Sequence, residues 1–181
     1  MIVDIGTGDG RAVLDRARAD PRAFVIGLDA NASAMAEASN RAFRGRVANV
    51  CFLVEAAEAL PGPLAETAQL VTVNFPWGSL LRGVLGMDNA VLRGIAGLVV
   101  PAGLIEVLAS VLPGDNVVGL DVLDRSATGR IAAAWAALGF ELVAMRPATA
   151  DDLRGTRSSW ARRLGDRPAW QLTTRRYGAV D

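Results

Sequence analysis

Short apolar runs alternate along this chain with stretches whose apolar residues recur at helical spacing, the pattern of strands and helices taking turns. The first run ends in an acid, Asp4, and passes into Gly6-Thr7-Gly8-Asp9-Gly10. From Arg11 a helix is predicted, with Val13 and Leu14 on one face and Arg16, Arg18 and Asp20 on the other. Residues 23–29 read as a second strand, 31–44 as a helix capped by Asn31 or Ser33, and 49–54 as a third strand. A fourth strand is expected at 69–74, followed by a loop beginning Phe75-Pro76-Trp77-Gly78. Residues 87–99 have helical spacing, interrupted by Gly94 and Gly97. A turn at 101–103 precedes a strand at 104–112, and 113–118 read as a loop. A helix at 127–138 holds Trp135 as a core anchor, a sixth strand covers 140–145, and 169–175 form a last one with Trp170 and Leu172 on one face. Between them, residues 147–168 keep neither period, although 156–167 could form one short helix.

Such a succession implies an α/β fold: a Rossmann-like sheet of seven mostly parallel strands with helices on both faces. At 181 residues one domain is expected, spanning 1–181. No run is long enough to cross a membrane and the start lacks a signal-peptide pattern, so a cytoplasmic location is expected. The lone Cys51 reads as a buried thiol, in keeping with a reducing compartment. With no histidine and one cysteine, no metal site is expected, and histidine-based acid–base chemistry is absent.

Charge changes the picture only locally. All nineteen basic residues are arginines and balance nineteen acids, yet eight arginines face four acids from residue 146 onward. Arginine suits bidentate phosphate contacts, so this end is the candidate nucleic-acid surface. A solvated charged face is the alternative.

The glycine spacing G-x-G-x-G departs from the dinucleotide fingerprint and fits a turn holding a nucleoside without a pyrophosphate. Asp4 would accept from an amino group, which suits the amino-acid end of S-adenosylmethionine. Asp29, nineteen residues after Gly10, stands where a doubly wound fold places a carboxylate against ribose hydroxyls. Glu58, beyond the third strand, is placed to meet an adenine amino group, or is a solvated loop acid like Glu55. Asn74 and the loop after it could receive a base edge, with Trp77 stacking on its face. A hydrophobic cap on the next helix is the plainer reading of Trp77.

Two stretches, NFPWGSLLRG at 74–83 and TRSSWARRLGDR at 156–167, resemble the aminoglycoside-resistance methyltransferases that modify 16S ribosomal RNA, in particular those acting on N1 of adenine 1408. The resemblance runs over nearly the whole chain. It implies a class I methyltransferase with S-adenosylmethionine as cofactor, bound by Asp4, Gly6, Thr7, Gly8, Gly10, Asp29, Ala30, Glu58 and Asn74. Trp77 and Trp160 would hold the flipped adenine. Arg162, Arg163 and Arg167 would contact the RNA backbone, with Ser158 near the target base. The implied partner is the 30S subunit, met by a monomer. Family members usually carry residues ahead of the first strand, including a docking arm, whereas this sequence starts inside that strand. It is then either truncated or docks without the arm. The loop also reads Asn-Phe-Pro-Trp where Leu-Pro-Trp is more expected, which brings it near the motif of N6-adenine methyltransferases. Other readings are an N6-adenine or N7-guanine methyltransferase, a small-molecule methyltransferase, a nicotinamide oxidoreductase and a non-catalytic RNA-binding module.

Overall fold

The computed structural model describes residues 1–156 and 167–178. Seven strands form one sheet in the order β3-β2-β1-β4-β5-β7-β6. They are β1 (Ile2–Ile5), β2 (Val25–Asp29), β3 (Val50–Val54), β4 (Ala68–Asn74), β5 (Val99–Ala109), β6 (Phe140–Pro147) and β7 (Trp170–Arg176). Neighbours from β3 to β5 pair in parallel, while β7 slots antiparallel between β5 and β6. The helices are α1 (Arg11–Ala19), α2 (Ala32–Arg44), α3 (Gly78–Val84), α4 (Asn89–Gly97), α5 (Thr128–Ala136) and α6 (Ala150–Gly155).

Strand alternation divides the sheet into two faces of different character. Val3, Ile5, Val71, Val73, Ile105, Val107 and Leu172 pack against Leu81, Leu92, Ile95, Ile131 and Trp135 of α3, α4 and α5, making the main core. Trp135 is the expected anchor: fully buried, it sets its ring edge-on to Phe140 and donates Nε1–H to the Val84 carbonyl at 3.2 Å. On the opposite face Val13 and Ala17 of α1 cover Val25 in a smaller cluster. Toward β4, β5 and β7 this second face turns polar, with Asp4, Thr72, Asn74, Glu106 and Thr173 on it.

Several expectations need correcting. The helix expected at 87–99 is shorter and has a predecessor: α3 begins at Gly78, directly inside what reads as a loop. The chain then breaks before α4, whose first turn is capped by the Asp88 carboxylate on the N–H groups of Ala90 and Val91. Val99 belongs to β5, not to a helix. The turn at 101–103 is real but lies within the strand: between the pairs Ala68–Val99 and Leu70–Leu104, β4 advances two residues and β5 five. That bulge holds Ala102 in the left-handed region at φ 62°. At its other end β5 stops at Ala109, because the Leu112 N–H is taken by the Asp115 side chain at 2.8 Å in a turn. The stretch after β6 holds α6, fixed by a reciprocal cap in which Thr149 accepts from Asp152 N–H and Asp152 accepts from Thr149 N–H. Cys51 is half-buried rather than buried.

Candidate cofactor crevice and base site

At the carboxyl ends of β1, β2 and β4 lies a cavity of about 370 Å³, within the range of about 300–1,000 Å³ common to small-ligand pockets. Its floor is the glycine turn. Gly6 and Thr7 both donate their N–H groups to the Leu28 carbonyl, at 2.8 and 3.0 Å, which ties the turn to β2. Gly6 and Gly8 have φ of 71° and 57°, so both occupy the left-handed region where a Cβ is strained, and both line the cavity. The Asp29 carboxylate reinforces the turn, taking the N–H of Gly8 at 2.8 Å on one oxygen and that of Asn31 at 2.9 Å on the other. Each oxygen keeps a lone pair for a ligand hydroxyl.

Ala30 and Glu58 line the same cavity, joined by Glu55, Ala56 and Ala57 from the loop after β3. The opposite wall is Asn74, Phe75, Pro76, Trp77, Ser79 and Leu80. Phe75 has φ 51° although it is not glycine. Its N–H is held by the Leu108 carbonyl at 2.7 Å, and its ring is buried against Leu108 and Ala169. These contacts offset the cost of the left-handed turn, of order 1–3 kcal/mol, and reverse the chain so that Trp77 projects outward, 48 % exposed at the mouth.

Three residues expected to touch the ligand do not line this cavity. Asp4 sits on the α1 face of the sheet, 8 % exposed, and one carboxylate oxygen accepts from Thr72 Oγ1 at 2.5 Å and Asn74 Nδ2 at 3.1 Å. Burial pushes its pKa up, opposed by the Thr72 hydrogen bond and the positive charge of Arg16 among others. Thr7 is buried within the turn, its carbonyl accepting from Gly10 N–H at 3.1 Å. Gly10 caps α1 and leaves room for Phe52 and Ala38, either of which would lie within 2.8 Å of an added Cβ. These residues shape the crevice from beneath.

Arg167 was expected on the RNA backbone. Its Nε–H donates to Ser110 Oγ at 2.8 Å, its guanidinium pairs with Asp115, and its Cζ lies 5.9 Å from the centroid of the Trp77 ring. The Leu112 N–H, and then Arg167, hold the Asp115 carboxyl below the usual carboxylate range. Trp160, Ser158, Arg162 and Arg163 lie outside the described residues. Their flanks are described: Thr156 borders Asn74 in a polar cleft of about 360 Å³ beside the crevice, and Arg167 touches Trp77.

One residue that shapes the site was legible only as an anomaly. Gly94 interrupts the pattern of α4 because the backbone of the Ala57 loop presses on it: an added Cβ would sit 1.8 Å from the Ala57 carbonyl oxygen. No sequence signal showed which segment it meets.

Comparison with known proteins decides between the readings of this crevice. Residues 1–175 match the family model described as NpmA, 16S rRNA (adenine(1408)-N(1))-methyltransferase. The chain belongs to this family. A curated relative, the 16S rRNA (adenine(1408)-N(1))-methyltransferase of Streptoalloteichus tenebrarius, is 35 % identical over 173 residues, covering 91 % of this chain and 80 % of that one. Among solved structures, a tryptophan-to-alanine variant of the same enzyme from Catenulisporales acidiphilia, with cosubstrate SAM, superposes with a TM-score of 0.87 at 29 % identity. That match covers 99 % of this chain and 87 % of the other. The aminoglycoside resistance methyltransferase NpmB1 is 36 % identical, with a TM-score of 0.77 over 97 % of this chain and 86 % of that one. The fold is therefore the class I methyltransferase fold. The crevice of this chain fits S-adenosylmethionine by its own features: Gly6 and Gly8, without Cβ atoms, on its floor, the Asp29 carboxylate in its lining and an exposed indole at the mouth. Among the described residues no three His, Cys, Asp or Glu side chains gather to hold a metal, and no helix is long and apolar enough to cross a membrane.

Proposed function

We infer that this enzyme methylates N1 of adenine 1408 in 16S rRNA within the assembled 30S subunit, and that the crevice between β1, β2 and β4 is where the transfer takes place. The modification gives aminoglycoside resistance. The observation that carries the assignment of roles is Trp77, held half-exposed at the mouth of a nucleoside-sized cavity by a left-handed residue and an arginine.

S-adenosylmethionine, when bound, supplies a methyl group made electrophilic by its sulfonium. The chain's own residues do the rest by position. The backbone of Gly6 and Gly8 makes room for the amino-acid end, Asp29 accepts from ribose hydroxyls, and Glu58 with the Ala57 backbone borders the adenine end. Asn74 closes the wall between cofactor and base. Trp77 offers an indole face to the flipped target base, and Trp160 the second face; of the described residues before and after Trp160 in the chain, Thr156 lines the polar cleft beside the crevice and Arg167 touches Trp77. N1 of adenine already carries a lone pair, so no general base is needed, in agreement with a chain that has no histidine. The ring becomes cationic on methylation, and each indole face favours that charge by about 0.5–2 kcal/mol.

Arg162, Arg163 and Ser158 are assigned to the RNA, reading folded shape rather than sequence. Arg167 is assigned differently: its charge is already compensated by Asp115, and it braces Trp77. The enzyme works as a monomer in the cytoplasm, where its substrate is, with the crevice open to a large particle.

Primer extension across the decoding site of small subunits incubated with enzyme and S-adenosylmethionine tests the reading, since a methyl on N1 blocks base pairing. A new, cofactor-dependent stop at adenine 1408 is expected. Methyl incorporation without a stop would move the target atom to N6.

A further inference from the structure

The buried acid of the first strand does not line the crevice itself, but it lines a small adjoining pocket together with Asn74 and holds that residue, which does reach the crevice. Asp4 lies opposite Thr72 across the β1–β4 pairing, and its carboxylate oxygen receives Thr72 Oγ1–H and one Nδ2–H of Asn74. A carboxylate only accepts, so this contact fixes the orientation of the Asn74 amide. The NH2 side turns inward to Asp4. Oδ1 is left as the polar atom that Asn74 presents to the cavities it lines, and no hydrogen bond among the described residues takes it up.

We propose that Asn74 Oδ1 accepts a hydrogen bond from the exocyclic amino group of the target adenine, and that Asp4 is the positioning residue that aims it. The proposal rests on the reading of the crevice given above. Asn74 is three residues before Trp77, at the end of the strand from which the base-stacking loop departs. An acceptor there selects an adenine edge, whose amino group lies beside N1. It disfavours guanine, which offers a carbonyl oxygen at the corresponding place.

The same hydrogen bond would also speed the reaction. As N1 uses its lone pair to bind the incoming methyl carbon, the electrons of the breaking S–C bond stay with sulfur. The positive charge appears on the base. In an N1-methylated adenine that charge is shared between N1 and the exocyclic nitrogen, as in an amidinium. The N–H that donates to Asn74 therefore becomes a cationic donor during transfer, and charge-assisted hydrogen bonds are roughly twice as strong as neutral ones. An interaction that strengthens on the way to the transition state raises turnover rather than binding. No proton has to leave the base while the new bond forms.

The test combines three variants on the full chain with 30S subunits as substrate. Asn74→Leu keeps the bulk and removes the acceptor. S-adenosylhomocysteine is expected to bind it within twofold of the wild type and KM for the subunit is expected to hold, while kcat falls tenfold or more. The double variant Asp4→Asn with Asn74→Asp exchanges donor and acceptor but leaves an acceptor facing the crevice, and it is expected to recover most of the lost kcat. If the leucine variant does not fold, Asn74→Ala carries the same expectations. A kcat within twofold of the wild type overturns the proposal. So does a loss that disappears at saturating S-adenosylmethionine with a tenfold weaker affinity for S-adenosylhomocysteine, because Asn74 would then serve the cofactor alone. Wild-type enzyme run in parallel separates the two readings: failure of its stop at adenine 1408 would count against the assigned reaction, not against Asn74.

Discussion

The Arg167 guanidinium lies over the indole of Trp77 and is held from behind by Asp115 and Ser110. An arginine near an exposed tryptophan invites assignment to a phosphate, but this one already has its counter-ion. Its place ties the segment before β7 to the loop after β4, so that the stacking surface is fixed by two distant parts of the chain.

A double-mutant cycle distinguishes bracing from phosphate binding. Trp77→Ala is expected to lower turnover about 5- to 150-fold, the value of one base–aromatic stack, with cofactor affinity unchanged. Arg167→Ala is expected to cost about two- to thirty-fold, as a lost cation–π contact would. Combined, the two should cost little more than Trp77→Ala alone, because residues in contact are not additive. Multiplying losses, with a shallower salt dependence of subunit binding for Arg167→Ala, would return Arg167 to the phosphates.

Gly94→Ala should damage the adenine end of the crevice from behind. The new methyl would collide with the Ala57 carbonyl, which is backbone and cannot swing aside. The expected result is a several-fold weaker affinity for S-adenosylhomocysteine and a loss of about 1–3 kcal/mol of stability in urea. Gly97→Ala, in the same helix with open space at its Cβ, should be neutral or gain up to about 1 kcal/mol. Calorimetric titration and urea melts of both variants measure the contrast.

Acid and neutral pH should act on different carboxylates. Asp115, held by the Leu112 N–H and Arg167, and Asp152, held first by Arg146, both have folded pKa values below the ordinary 3.8. Each therefore adds stability that is fully present above 3.8 and is lost as pH falls through the folded value. Asp152→Asn should flatten the acid limb of a plot of stability against pH. Asp4 has the opposite sign: its folded pKa lies above 3.8, so stability is greatest below 3.8 and declines as pH rises through the folded value. Asp4→Asn should accordingly be at least as stable as the wild type at pH 7, with its relative advantage shrinking toward pH 3. Urea midpoints across pH 3–8 would show both limbs.

Much of this architecture is legible in the chain itself. Asp29 and Asn74 each close a strand and Asp4 stands one residue before the end of another, so that a short apolar run meeting a polar residue marks both the strand and its carboxyl end. The seven-stranded sheet follows from that repetition. What the pattern could not show was direction. Alternation puts Asp4 on the α1 face, where its carboxylate holds Thr72 and Asn74 and lines a small pocket beside the crevice. Likewise Gly94 looks like a flaw in a helix until Ala57 is seen against it. The bulge at 101–103 resembles a turn because locally it is one, and only pairing with β4 reveals the strand continuing on either side. At six residues α6 is too short for its period to register, so the stretch after β6 reads as irregular in the sequence.

The antiparallel insertion of β7 has a consequence for when the enzyme can act. β7 is made after every other strand of the sheet, yet it sits between β5 and β6 and delivers Arg167 to Trp77. Until it is seated, β5 has a bare edge, Phe75 lacks the cover of Ala169, and the indole has no brace. Pairings this far apart in sequence form late and slowly. A nascent chain whose β7 is still in the exit tunnel has its glycine turn but not its braced indole, and so cannot modify a ribosome before β7 has emerged and been seated.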